Sequence, residues 1–368
     1  MYTAPVIFCP VLFLHICRMR IWMMIVVTTI AVTILVSFSG ENLRGIYSGS
    51  PVNWPAPHVE KGIPWTELGT LPRGPLAGKE DSLRPVIELG KTLFFDPRLS
   101  ASGKISCASC HQPSLNWTDG RETSIGHEGA IGKRNAPGIA NSWFYKRLFW
   151  DGRARDLADQ AFAPIVSESE MASEMPDVMS KLRRIEGYRK MFRKAFGDDH
   201  IDPERMTQAI ALLEQTVISR KSAFDLFLQG DRKAISLAAI RGLHLFRTKA
   251  GCMNCHYGPL MTDNSFHAIG FSGEDAGYFK VTHQDADSGK FRTPSLRDVM
   301  RTGPWMHDGK EKEMTELLEK LNHARMPGIR SQLVKPLGLT KREKADLLAF
   351  LQSISAPAAD FQTPVLPE

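Results

Sequence analysis

The chain has 368 residues, long enough for about two ordinary domains with real hydrophobic cores, which excludes a short disulfide scaffold. Apolar residues make up 43% and charged residues 23%, with 29 glycines and 23 prolines, so disordered, collagen-like and low-complexity classes are excluded too. Lys and Arg exceed Asp and Glu by six, a surplus compatible with acidic partners or membrane surfaces but silent about fold; no nucleic-acid partner is expected.

From Ile21 to Phe38, 18 residues pass without a charge, preceded by Arg18 and Arg20. A secretory apolar core spans about 7–15 residues and a membrane span about 20. The stretch lies between the two and leans toward an uncleaved anchor, while Ser37-Phe38-Ser39 permits cleavage after Ser39. Either way the arginines stay in the cytoplasm and the rest crosses the membrane. Residues 1–40 are therefore expected to be a signal or transmembrane anchor.

Residues 41–78, rich in Pro and Gly, read as a linker or an extended arm on the globular body. Helical periodicity follows. Pro85, Val86, Leu89, Leu93 and Phe94 trace one face; Met206, Ile210, Leu213 and Val217 trace another within 203–218; Leu237, Ile240, Leu243, His244 and Phe246 trace a third. Thr340 and Glu343 form a capping box ahead of Leu347, Leu348, Leu351 and Ile354. Alternating strand runs are scarce, and the long loops at 112–150 and 257–305 suggest a chain wrapped around something other than its own side chains. The expected class is all-α, with one domain over 79–232 and a second over 233–368.

Of six cysteines, Cys9 and Cys17 fall in the apolar N-terminal stretch. The other four make two C-x-x-C-H motifs, Cys107-Ala108-Ser109-Cys110-His111 and Cys252-Met253-Asn254-Cys255-His256, 145 positions apart. One accidental copy is expected only about 0.003 times in such a chain and two far less often, so chance is a poor explanation. Zinc knuckles or a redox dithiol would use C-x-x-C but require no histidine directly after it. Covalent haem attachment does: two thiols at i and i+3 reach the vinyl groups, and the next residue presents an imidazole to the iron. Two haem c groups are expected, with His111 and His256 as proximal ligands. Such attachment takes place outside the bacterial cytoplasm, in agreement with the membrane-crossing signal.

Over most of residues 80–355 the chain resembles the bacterial di-haem cytochrome c peroxidase and MauG family. The motifs that carry the resemblance are Leu93-Phe94-Phe95-Asp96-Pro97-Arg98-Leu99-Ser100, Arg134-Asn135-Ala136-Pro137, Phe149-Trp150-Asp151-Gly152-Arg153-Ala154, Phe291-Arg292-Thr293-Pro294-Ser295-Leu296-Arg297 and His307-Asp308-Gly309. The resemblance implies two cytochrome c-like domains, the first peroxidatic and the second electron-transferring. It implies that His127 caps the first iron in a resting state, that Glu170 and Gln160 line the distal pocket and assist O–O cleavage of hydrogen peroxide, and that Trp150 relays an electron between the haems. It also implies a calcium site from Asn135 and the carbonyls of Thr302 and Pro304, oxygen ligands that suit that ion.

One position departs from the family pattern. Fourteen residues past His307, where the peroxidases have an axial methionine and MauG-like proteins a tyrosine, stands Leu321, which cannot bind iron. Water or hydroxide on the second haem, a swing of His323 or Met326, or a different helix register are the alternatives. Loss of a thioether should lower the second haem's potential. The expected activity is that of a cytochrome-c peroxidase-like oxidoreductase in the periplasm, its donor a small cytochrome c or copper protein. The alternatives are a MauG-like enzyme oxidising residues of a partner protein and a non-catalytic di-haem electron carrier. Membrane contact through the N-terminal segment and a homodimer complete the expected partners.

Overall fold

The computed structural model describes residues 42–270, 274–326 and 328–368. The expected anchor within 1–40 lies outside the described residues; among those described, no helix is long and apolar enough to cross a membrane.

The first half contains α1 (Glu80–Phe95), the single turn α2 (Cys107–Cys110), α3 (Leu157–Val166), α4 (Met175–Arg184), α5 (Glu186–Phe196) and α6 (Pro203–Thr216). The second contains α7 (Ala223–Leu228), α8 (Leu237–Arg247), α9 (Phe279–Thr282), α10 (Met314–His323) and α11 (Lys341–Ser353). The architecture is mostly helical. It departs from a purely helical expectation by one short antiparallel pair, β1 (Phe266–His267) and β2 (Phe291–Arg292), with Phe266 opposite Arg292.

Local chemistry sets the helix ends. Asp202 accepts a hydrogen bond from the Arg205 amide and Pro203 occupies the first turn of α6, where its missing N–H costs nothing. Thr340 and Glu343 cap α11 reciprocally. The apolar stripes face two separate cores. One gathers Leu89, Leu93 and Phe94 of α1 with Met206, Ile210 and Leu213 of α6; the other gathers Ile240, Leu243 and Phe246 of α8 with Leu347, Phe350 and Leu351 of α11.

Each half has one close helix crossing. A Cβ on Gly90 would lie 1.9 Å from the Ala209 carbonyl oxygen, and one on Gly242 would lie 2.0 Å from that of Asp346. Only glycine permits α1 to approach α6, and α8 to approach α11, so closely.

The segment before α1 is built into the second core. Tyr47, Trp54 and Leu68 are buried there, and the wholly buried Arg247 lies over the Tyr47 and Trp54 rings while pairing with Glu67. The chain's other end crosses back to the first half. Phe361 stacks on Phe95 and meets Trp117 edge-on, and the Arg98 guanidinium donates to the Pro367 carbonyl at 2.9 Å.

Candidate functional site

The first motif is held by a capping box: Ser106 precedes α2 and donates its backbone N–H to the Ser109 Oγ at 3.0 Å, while the Ser109 N–H donates back to Ser106. The chain leaves the turn at His111, whose Nδ1 lies 3.0 Å from the Trp117 carbonyl oxygen. In the second motif, a short 3-10 turn over Cys252–Asn254 leads to His256, with Nδ1 2.9 Å from the Met261 carbonyl. A carbonyl can only accept, so both Nδ1 atoms carry the proton and both Nε2 atoms present a lone pair. Burial pushes both imidazoles below their usual pKa, keeping them neutral. This is the tautomer and orientation that an iron ligand needs.

The thiols suit thioether attachment better than the alternatives. All four are free. Burial raises Cys107, Cys110 and Cys252, the last to about 12, whereas a redox dithiol needs a depressed value. Among the described residues one cluster could offer three metal ligands, Cys255 with Asp263 and His267. It contains a single cysteine, so the four thiols make no zinc tetrad.

Beside His256, Cys252 and Cys255 lies a largely apolar cavity of about 300 Å³. Helix α10 supplies Met314, Leu317, Leu318 and Leu321 to its wall, the i, i+3, i+4, i+7 face. Leu321 is thus a cavity residue. His323 instead turns to Glu319, 2.9 Å away at the exposed end of α10, and neither it nor the buried Met326 lines the cavity.

Trp150 and Asn135 stand in the same wall, with Thr302 and Pro304. The buried Trp150 indole donates to the Asn135 carbonyl at 2.9 Å. The Asn135 amide Nδ2 donates to the Arg121 carbonyl, also at 2.9 Å, and its backbone N–H to that of His307. These contacts leave the Asn135 side-chain oxygen as the group that can face a cation.

Around the first motif the structure brings His127 and Glu170 together. The His127 backbone N–H donates to the Glu170 carbonyl at 2.8 Å, and Gly126 packs so tightly that a Cβ would lie 2.1 Å from the Ser169 oxygen. The His127 Nδ1 is buried without a hydrogen-bond partner, which costs free energy unless something is bound there. Burial raises the Glu170 carboxyl above its ordinary pKa, opposed by the Arg153 charge and a Ser167 hydrogen bond. Glu170 lies within electrostatic range of both Cys107 and Cys110. Gln160 is half-buried on α3, the helix that leads from Trp150 toward Glu170.

Two features escape a reading of the sequence alone. Arg134 bridges Asp151 at 2.6 Å and Asp275 at 2.7 Å, tying the Trp150 loop to the second half. Glu214 lies fully buried on α6 and acts on Cys107. A signal for Glu214 exists, because it sits four residues after Ile210 and three before Val217, on the apolar side of the helix.

Comparison with known proteins agrees with this arrangement. Residues 84–233 match the family model described as di-haem cytochrome c peroxidase. The chain is 41% identical over 288 residues to the methylamine utilization protein MauG of Methylophilus methylotrophus, covering 76% of this chain and 85% of the relative. The chain belongs to the di-haem cytochrome c peroxidase and MauG family. It is also 39% identical over 286 residues to the cytochrome c551 peroxidase of Nitrosomonas europaea, covering 76% of this chain and 83% of that one.

Among solved structures, a MauG-like protein associated with microbial copper homeostasis superposes with a TM-score of 0.67 at 30% identity, over 82% of this chain and 93% of the other. The fold is shared as well by the diheme peroxidase BthA from Burkholderia thailandensis, with a TM-score of 0.64 at 23% identity, over 84% of this chain and 98% of that one. As a member of a di-haem peroxidase family, the chain is an oxidoreductase acting on peroxide, and the family implies two c-type haems.

Proposed function

We propose that hydrogen peroxide is reduced to water beside His111, with electrons entering through the site of His256 from a small cytochrome c or copper protein in the periplasm. Bound haem supplies a redox-active Lewis acid for peroxide at the first site and a store for electrons at the second. The protein's own groups supply the rest. Glu170 takes a proton from one peroxide oxygen and delivers it to the other, and its half-burial beside Cys107 and Cys110 holds the carboxyl where that transfer is needed. Gln160 orients peroxide with its amide, and the His127 loop withdraws to admit it. Trp150, in the wall of the cavity beside His256, is the aromatic link between the two sites. Asn135 with the carbonyls of Thr302 and Pro304 is the proposed calcium site, its role to fix the join beside Trp150. The segment at 21–38 is the proposed route across the inner membrane, as anchor or cleaved signal.

The observation that carries this reading is Glu170, a carboxyl with a raised pKa held beside the first motif by the His127 backbone. Replacing Glu170 by Gln should slow peroxide reduction by about 10²- to 10⁴-fold, the usual worth of a positioned acid–base group, with both haems retained. Stopped-flow absorbance after a peroxide pulse measures this; an unchanged rate removes Glu170 from the chemistry.

Leu321 in the second cavity favours a second reading, in which the electrons come from residues of a partner protein, as the name MauG on a 41% identical relative allows. A reduced small cytochrome c that is oxidised stoichiometrically with peroxide supports the first reading. Its failure to react, with peroxide still consumed, supports the second.

A further inference from the structure

The cavity beside His256 contrasts with the first site in one respect: the residues that α10 turns toward it are Met314, Leu317, Leu318 and Leu321, none of which is an acid, a base or a nitrogen ligand. Of the other groups in its wall that could bind a metal, three are committed elsewhere, and two more, Met306 and His307, come from outside α10. The His267 Nε2 is 2.7 Å from Asp263, the Tyr145 hydroxyl accepts from the Ser295 N–H at 2.8 Å, and the Lys335 amine reaches out to Glu60 at 2.6 Å. His307 lies flat on Phe291, ring centroids 3.6 Å apart.

Met314 is the nearest sulfur on α10, but seven residues put it about 10.5 Å along the helix axis from Leu321. That is roughly the width of a porphyrin. Were Leu321 to face the metal, as its place fourteen residues after His307 implies, Met314 would stand about two turns away along α10.

We infer that the second haem keeps an open sixth position under an apolar roof of Leu317, Leu318 and Leu321, and that this position is a binding site for neutral diatomic molecules such as CO and NO. Pocket polarity and hydrogen-bond donors decide whether a haem activates oxygen species or merely binds small ligands. The first site has Glu170 and Gln160 for activation; the α10 side of the second offers only Met314, Leu317, Leu318 and Leu321. The two centres therefore take different ligands: peroxide at one, uncharged gases at the other. This rests on the two-haem reading alone and is independent of which donor reduces peroxide.

The probe is CO added to the fully reduced holoprotein, read by titration and by infrared C–O stretching. Two CO per chain are expected, with two bands. Glu170→Gln should shift only one of them. Leu321→His, which places an imidazole in the roof, should remove the other and lower the stoichiometry from two to one, with a change of the second haem from high to low spin. One CO per chain in the wild type, or two bands that both ignore Leu321→His, would overturn the proposal. So would a low-spin second haem that becomes high-spin in Met306→Leu or Met314→Leu, because a thioether would then be the ligand. Peroxide turnover is measured separately on the same wild-type sample, so loss of the peroxidase reading and loss of this one are told apart.

Discussion

Glu214 shows how a single side chain sets a pH dependence. It is 4% exposed, its Oε2 has no hydrogen-bond partner among the described residues, and burial pushes its pKa up to about 8. The unfolded chain releases this proton near pH 4.3, about the free glutamate value. The folded form holds it until about 8, so the stability it brings is complete below the unfolded value and is lost as pH rises through the folded one. Glu214→Gln keeps the shape and removes the charge. Wild type should melt progressively lower than this variant between about pH 5 and 8, in thermal scans of the holoprotein; a constant offset across that range would show that the carboxyl is paired. Glu170, also raised by burial, acts on rate. Accepting a proton requires the carboxylate, so kcat/KM should decline on the acid side with a midpoint above the ordinary glutamate range, and Glu170→Gln should lack that limb. At this scale the C-x-x-C-H residues are legible because covalent chemistry fixes their spacing. The Arg134 bridge is not, since Asp275 lies remote in the chain, and Glu214 is signalled only by its place on the apolar side of α6.

At the scale of elements, both halves use one device, a helix whose glycine meets a backbone carbonyl of a later helix: Gly90 against Ala209 and Gly242 against Asp346. An added methyl cannot be absorbed by rotating a side chain, because the obstacle is backbone. Gly90→Ala and Gly242→Ala should each destabilise the fold by about 1–3 kcal/mol, the usual cost of overpacking, seen as a lower midpoint in denaturant. No change would mean that the helices slide apart freely. The helices themselves were readable: the period of 3.6 placed the stripes of α1, α6, α8 and α11 on buried faces, and the Thr340–Glu343 box is present. Phe350, wholly buried on α11, lies beside that stripe and escaped it. The two-residue strands β1 and β2 are too short for any alternation to register. The arm before α1 has no period either, although Tyr47, Trp54 and Leu68 help to fill the second core; their burial depends on where Arg247 lies.

Across the whole molecule, two cores are joined by polar bridges and by the C-terminal tail. Phe361 lies on Phe95 and Trp117, and Trp117 supplies the carbonyl that orients His111. Ending the chain at Ala356 removes this aromatic and the Pro367 contact to Arg98. Burying a Phe side chain contributes about 1.5–3 kcal/mol, so the shortened chain should melt lower. The axial-ligand signature of the first haem should shift in EPR, while that of the second, whose His256 is anchored to Met261, should not. Equal shifts at both haems would refute the tail's local role. Nothing in residues 357–368 advertises this, because a lone Phe among prolines carries no periodicity.

The tail also imposes an order on biogenesis. Cys107 and Cys110 precede Phe361 by 251 residues or more, so a porphyrin could be stitched to the first motif while that flank is still bare. Phe361 then closes the flank behind it. An affinity tag fused after Glu368 would be seated against Gly187, whose N–H donates to the terminal residue's carbonyl, and would tax the very half that is finished last.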